Sequence, residues 1–262
     1  MGRRLPPQGL DDSGEFVYCL TPVDDKIREQ MKDKLQGKKH IEFNELAHYL
    51  SADPVKFNRE FCAYAHLENM NHYFEEAENT LEIFWSPNST FYKMFQRLDL
   101  TNVIELACGR GRHVTKYIDL AGQITVVDIL EKNIEICQER FKDISKISYY
   151  KNDGYNLRKL KDNQYSALFT YDAMVHFELI DIYEYLKDIH RVLKSGGRAL
   201  FHHSNNTESC KASFADATHG RNFMSKEIFA YLADRTGFKI LEQTEIDWEI
   251  ANLDCVSLVE KI

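Results

Sequence analysis

Val103-Ile104-Glu105-Leu106-Ala107-Cys108-Gly109-Arg110-Gly111-Arg112 is an apolar run that breaks into small residues and glycine, the pattern of a strand that ends in a tight turn and opens a helix. Glycine lets the backbone approach a ligand closely, and Glu105 falls near the strand's carboxyl edge, where open α/β sheets bind ligands. A second such run, Ile124-Thr125-Val126-Val127-Asp128, ends in an acid. A carboxylate there accepts hydrogen bonds from both hydroxyls of a ribose, or caps the helical stretch that begins at Glu131. A third, Tyr150-Lys151-Asn152-Asp153-Gly154, brings Asp153 to where it accepts from an adenine amino group or caps a turn.

Working outward, Asn102–Ala107, Gln123–Asp128, Ile147–Tyr150, Ser166–Tyr171 and Arg198–His203 read as strands, separated by helical stretches at Arg112–Leu120, Glu131–Phe141 and Leu179–Leu193. Such alternation predicts a parallel sheet with crossover helices. Lys194-Ser195-Gly196-Gly197 reads as the stop of the last of these helices. A helix near Ser225–Thr236, the stop at Gly237 and two strands near Lys239–Glu245 and Asp254–Glu260 complete the pattern. All five prolines (6, 7, 22, 54 and 87) lie upstream. There Val23–Leu35, Glu42–Leu50, Val55–Glu68 and Ser89–Leu98 carry apolar residues at helical spacing, which predicts a helical cap.

The composition narrows the function. At 262 residues, 44% hydrophobic and 28% charged, the chain has the make-up of a globular protein. No stretch approaches the roughly 20 consecutive apolar residues of a membrane span, and the N-terminus lacks an apolar signal core, so no membrane association and a cytoplasmic location are expected. The formal net charge of −8 opposes a phosphate backbone, and no nucleic acid partner is expected. The six cysteines stand singly, with no Cys-x-x-Cys pair, so they read as reduced thiols.

Three strand ends that carry acids or a glycine loop form a constellation. With it come Tyr171-Asp172-Ala173-Met174-Val175-His176-Phe177 and Arg191-Val192-Leu193-Lys194-Ser195-Gly196-Gly197. Together they resemble the class I S-adenosylmethionine-dependent methyltransferase superfamily, with a weaker resemblance to its bacterial small-molecule and sugar O-methyltransferases. The resemblance implies an α/β, Rossmann-like, seven-stranded and mostly parallel sheet with a terminal antiparallel hairpin. It divides the chain into an N-terminal helical cap at 1–100 and a methyltransferase domain at 101–262. It also implies that Glu105 and the Gly109 loop face the methionine part of S-adenosyl-L-methionine, Asp128 the ribose, and Asp153 with Gly154 the adenine, with Ala107, Arg112 and Ile129 also bordering the cofactor. Tyr171 and Asp172 then lie beside the methionine moiety. Ala107 stands where the family often has glycine, which narrows the pocket.

Methyl transfer needs an acceptor oxygen or nitrogen in line with the sulfonium methyl, and histidine is the side chain suited to take a hydroxyl proton near neutrality. His176, His202 and His203 follow the fourth and fifth strands. Adjacent strand residues point to opposite faces, so His202 and His203 serve different ends, and His203 is preferred as the base. Asp172 and the three histidines supply ligand types for a metal, but none is expected. The expected partner is a small-molecule acceptor, with a sugar and a phosphorylated metabolite as the candidates and a homodimer left open. From the cap, Trp85 is preferred as a lid residue over Tyr64, His66, Tyr73 and Tyr92. A nicotinamide dehydrogenase shares Gly109-x-Gly111 and Asp128 but has a third glycine where this chain has Val114. A catalytically inactive cofactor-binding scaffold is the other alternative.

Overall fold

The computed structural model describes residues 18–20, 40–42, 53–68, 73–210, 214, 217 and 219–262. The helical stretch expected at 23–35 and that expected at 42–50, apart from Glu42, lie outside these. Strands β1 (Tyr18–Leu20) and β2 (His40–Glu42) pair in parallel as a small sheet. Helices α1 (Pro54–Glu68), α2 (Tyr73–Asn79), α3 (Leu81–Phe84) and α4 (Thr90–Phe95) lead to the main sheet.

The main sheet contains β3 (Asn102–Leu106), β4 (Gln123–Asp128), β5 (Ile147–Lys151), β6 (Tyr165–Thr170), β7 (Leu193–Ser204), β8 (Phe238–Trp248) and β9 (Ile250–Lys261), in the order β5-β4-β3-β6-β7-β9-β8. The first five strands in that order run parallel, and β9 is antiparallel to both β7 and β8. This is the expected Rossmann-like sheet with its terminal hairpin. All six residues of β6 are buried, because a central parallel strand is covered by helices on both faces.

Helices α5 (Val114–Tyr117) and α6 (Glu131–Arg140) follow β3 and β4. Helix α7 (Leu179–Val192) turns Ile182, Tyr185, Leu186 and Ile189 into the core, the i, i+3, i+4, i+7 stripe of an amphipathic helix. Helix α8 (Lys226–Arg235) starts where the Ser225 side chain accepts from the Ile228 N–H, and it stops before Gly237, whose φ is +89°. One boundary differs from expectation. Strand β7 begins at Leu193, paired with Tyr165, and Ala167 then pairs with Arg198. Residues 194–197 are therefore looped out of the ladder rather than forming a turn before it.

The helices before the sheet share its core. Phe91, Met94 and Phe95 of α4 join Tyr117 and Phe169 in one apolar cluster, and burying each such side chain contributes roughly 1.5–3 kcal/mol. Trp85 belongs to the same cluster. It stacks on Tyr117 at 6.3 Å, donates from Nε1 to Nδ1 of His113 at 3.0 Å and is 9% exposed. The lid role expected of it is thus corrected: Trp85 anchors packing. Among the described residues, no helix is long and apolar enough to cross a membrane.

Candidate functional site

The carboxyl ends of β3, β4, β5 and β6 meet at one edge of the sheet, where the chain turns sharply. Ala107, Gly109 and Gly111 have φ of +57°, +54° and +75°. Ala107 thus adopts the left-handed backbone that glycine takes without strain, at a cost of roughly 1–2 kcal/mol. The turn is tied to the next strand. Gly109 N–H donates to Oδ2 of Asp128 at 2.9 Å, while Leu130 N–H and Asn133 Nδ2 donate to Oδ1 at 2.9 and 3.1 Å. Burial nevertheless raises the Asp128 carboxyl to about 6, because those bonds do not fully replace lost water.

This edge borders a narrow cavity of about 130 Å³, smaller than the roughly 300–1,000 Å³ of pockets that hold cofactor-sized ligands. The N-terminal helices make it small. Arg59 of α1 forms a two-pronged ion pair with Asp181 at 2.8 and 2.6 Å and lies 4.3 Å over the Tyr155 ring. A Cβ added to Gly154 would meet Arg59 Cδ at 2.6 Å, and one added to Gly109 would meet Phe74 of α2 at 3.3 Å. Three buried polar atoms in residues of this wall, Oδ1 of Asn133, Nε2 of His113 and Nε of Arg110, have no hydrogen-bond partner.

A second, more open cavity of about 990 Å³ adjoins the first. His66, Tyr73, Arg112, Tyr171, Asp172 and His176 border both. Asp172, itself at φ +56°, accepts on Oδ2 from Arg112 Nη2 at 2.6 Å and from the Tyr73 hydroxyl at 3.2 Å. Nδ1 of His176 lies 2.7 Å from the Gly220 carbonyl, and Nδ1 of His66 lies 2.7 Å from that of Cys62. A carbonyl only accepts, so each ring carries its proton on Nδ1 and keeps a lone pair on Nε2. The rings are 5.2 Å apart. Burial and then the neighbouring His66 push His176 down to about 3, so it is neutral around pH 7.

Of the residues that the sequence reading assigned to a cofactor, Ala107, Gly109, Arg112, Asp128, Ile129, Gly154, Tyr171 and Asp172 border the first, narrow cavity. Glu105 does not. Its side chain accepts from the Tyr117 hydroxyl at 2.9 Å on the Trp85 side of the sheet, and burial raises it to about 8. Asp153 is exposed and borders a neighbouring surface groove instead.

The preference for His203 is also corrected. Its ring is fully buried, stacks on Phe229 at 4.1 Å, and bonds to Ser257 Oγ at 2.8 Å, away from both cavities. His202 faces the other way, under Tyr171 at 4.5 Å. It borders neither cavity but supports their common wall. Nδ1 of His202 accepts from Asp172 N–H at 3.0 Å, which leaves Nε2–H to donate to Asp254 at 3.1 Å. Arg221 completes the chain by gripping Asp254 at 3.0 and 2.7 Å. Burial alone would raise Asp254, but the bonds from His202 and Arg221 outweigh it and hold the carboxyl at about 2.

Arg59, Tyr73, Phe74 and Asp181 were not singled out as site residues from sequence. Tyr73 could be seen only as one of several cap aromatics. Among the described residues, no group of three or more His, Cys, Asp or Glu side chains is arranged to hold a metal ion.

Comparison with known proteins agrees with this geometry. Residues 103–197 match the family model described as a methyltransferase domain. Among solved structures, an S-adenosylmethionine-dependent methyltransferase from Mesorhizobium loti is 15% identical, with a TM-score of 0.54 over 65% of this chain and 97% of that one. Geranyl diphosphate C-methyltransferase from Streptomyces coelicolor A3(2), solved with Mg²⁺, geranyl diphosphate and S-adenosyl-L-homocysteine, is 9% identical, with a TM-score of 0.54 over 65% and 76%. The [4+2]-cyclase SpnF is 14% identical, with a TM-score of 0.54 over 65% and 78%. At these identities the likeness is one of fold, and one fold hosts several chemistries.

Proposed function

We propose that this chain, whose residues 103–197 match a methyltransferase-domain family model, is an S-adenosylmethionine-dependent methyltransferase that methylates a hydroxyl of a small molecule seated in the second cavity. The observation that carries the reading is the wall common to two cavities: one lined by the strand ends that suit the cofactor, the other large enough for an acceptor. The narrow cavity suits the cofactor chemically. Asp128 can accept from ribose hydroxyls, and the unpartnered Asn133 Oδ1 and His113 Nε2 offer further polar contacts. For a ligand of that size to enter, α1 and α2 move outward, carrying Arg59 and Phe74 with them.

The bound cofactor supplies a methyl group on a positively charged sulfur, which keeps the bonding pair when the methyl leaves. The protein's part is to orient the acceptor and exclude water. Tyr73, Arg112 and Asp172 hold the common wall, and Nε2 of His176 receives the acceptor's proton, with His66 beside it. The net charge of −8 favours a small acceptor over nucleic acid.

Calorimetric titration with S-adenosylhomocysteine, with NAD as control, tests the cofactor half of the reading. Saturable binding of the former alone is expected; binding of NAD alone would overturn it. For the base, His176→Ala is expected to lower turnover while leaving S-adenosylhomocysteine affinity within about twofold, and unimpaired turnover would remove His176 from that role.

A further inference from the structure

We propose that the acceptor is a planar aromatic compound carrying an acidic hydroxyl, rather than a sugar or a phosphorylated metabolite; this rests on the assignment of the second cavity as the acceptor site. The first observation is the character of the wall. Tyr73, Phe84, Phe214 and Trp248 all border this cavity, and all are partly exposed. Aromatic side chains left in water at one cavity mark a surface built to be covered.

These rings form two groups. On one side, Phe84 stacks on Trp248 at 5.6 Å and 24° and meets the edge or face of Tyr171 at 5.1 Å. On the other, Phe214 lies 5.1 Å from His66, 5.1 Å from His176 and 6.4 Å from Phe61. A flat ring gains offset-stacked or edge contacts from such walls, which a puckered saturated ring of the same size does not match.

The second observation is charge. Among the described residues, the wall's cations are Arg112 and Arg221, and both are already paired, with Asp172 and Asp254. Asp247 and Glu249 add carboxylates at the rim. A phosphate group would therefore meet no uncommitted guanidinium here and would face like charge. His219 adds no positive charge to offset this, since burial and then Arg221 lower its affinity for a proton; with Nδ1 accepting from the Arg221 N–H, its Nε2–H is a neutral donor.

The third is the proton acceptor. His176 is a weak base in its buried setting, poorly matched to a sugar hydroxyl. A phenolic hydroxyl, with an ordinary pKa near 10, gives up its proton far more readily. In the transfer, the acceptor oxygen forms its bond to the methyl carbon as the carbon–sulfur bond breaks, and the hydroxyl proton passes to Nε2 of His176.

The test uses the full chain saturated with S-adenosylhomocysteine, titrated calorimetrically with 2-naphthol, its saturated analogue decahydro-2-naphthol, and glucose 6-phosphate. The expected result is binding of 2-naphthol about tenfold or more tighter than either comparator, lost by about tenfold in Trp248→Ala while S-adenosylhomocysteine affinity is unchanged. Equal or tighter binding of the saturated alcohol or the sugar phosphate would overturn the proposal, as would binding of none of the three. Failure of S-adenosylhomocysteine itself to bind would instead defeat the underlying cofactor reading. Folded Phe84→Leu provides a second variant, expected to weaken 2-naphthol and to leave decahydro-2-naphthol unaffected.

Discussion

The backbone N–H of Asp172 donates to Nδ1 of His202 across 3.0 Å, so a buried histidine on β7 holds in place the left-handed turn that ends β6. The aspartate pays for that turn in strain and is kept there by a chain that runs through His202 and Asp254 to Arg221.

Replacing His202 by Phe keeps a ring under Tyr171 but removes both hydrogen bonds. The Asp172 N–H is then stranded and Asp254 loses one of its donors, so a loss of about 1–3 kcal/mol is expected in urea unfolding. Loss of S-adenosylhomocysteine affinity should accompany it, because Asp172 borders the narrow cavity. An unchanged midpoint would show that the turn stands without its histidine.

Asp128 should make cofactor binding depend on pH. Its carboxyl sits at about 6 in the free protein, and only the ionised form accepts from both ribose hydroxyls. Affinity for S-adenosylhomocysteine is expected to rise with pH through about 6 and level off above it. Asp128→Asn should abolish that rise and weaken binding by about 1.5–3 kcal/mol at pH 7.5. Calorimetry from pH 5 to 8 on both proteins measures this, and parallel pH profiles would remove the ribose contact.

Glu105 links stability to pH with the opposite consequence. Its folded-state value of about 8 lies above the ordinary 4.5, so the folded chain binds the proton more tightly than the unfolded one. Its contribution is full below the ordinary value and is lost as pH rises through about 8. Glu105→Gln should therefore flatten the decline in unfolding free energy between about pH 5 and 8. A variant that declines as steeply as the parent would show that another group is responsible.

At Ala107 the left-handed backbone costs the folded state what a glycine would not. Ala107→Gly relieves that strain but loosens the unfolded chain, and the net gain expected is about 0–1 kcal/mol. Ala107→Val should lose stability, since a β-branched residue is still less tolerant of positive φ. Thermal unfolding of the pair decides it; equal stability would place no strain at 107.

For His203, stacked on Phe229 and bonded to Ser257, the expected effect of Ala is structural. About 1–3 kcal/mol of stability should be lost, with S-adenosylhomocysteine affinity unchanged in the folded fraction. A turnover defect without a stability defect would restore the catalytic role expected from sequence.

Strands β3, β4 and β5 were legible because each combines an apolar run with an acid or glycine at or just past its end, and that same pattern led to Asp128, Gly109 and Gly154. What the pattern could not show was which face a side chain takes. Glu105 and Leu106 are neighbours on one strand, yet only Leu106 borders the cavity, and the same alternation separates His202 from His203. Nor could it reveal Arg59, which lies 122 positions from its partner Asp181. Long-range pairing of this kind leaves no local periodicity. Trp85 misled for a related reason: an amphipathic indole before a helix suits a lid and a core equally, and only its neighbours Phe91, Phe95 and Tyr117 decide between them.

The clasp between Arg59 and Asp181 has its final consequence in time. A partly buried, two-pronged ion pair stands in the wall of the narrow cavity, and in the proposed reading α1 swings out and parts it before anything as large as the cofactor passes. Exchange of used for fresh cofactor would then be paced by how often α1 swings clear, on the microsecond-to-millisecond scale of such helix motions, and not by how often the two molecules collide. Raising the ligand concentration would speed capture only up to that ceiling, after which the observed association rate reports the opening of the clasp itself.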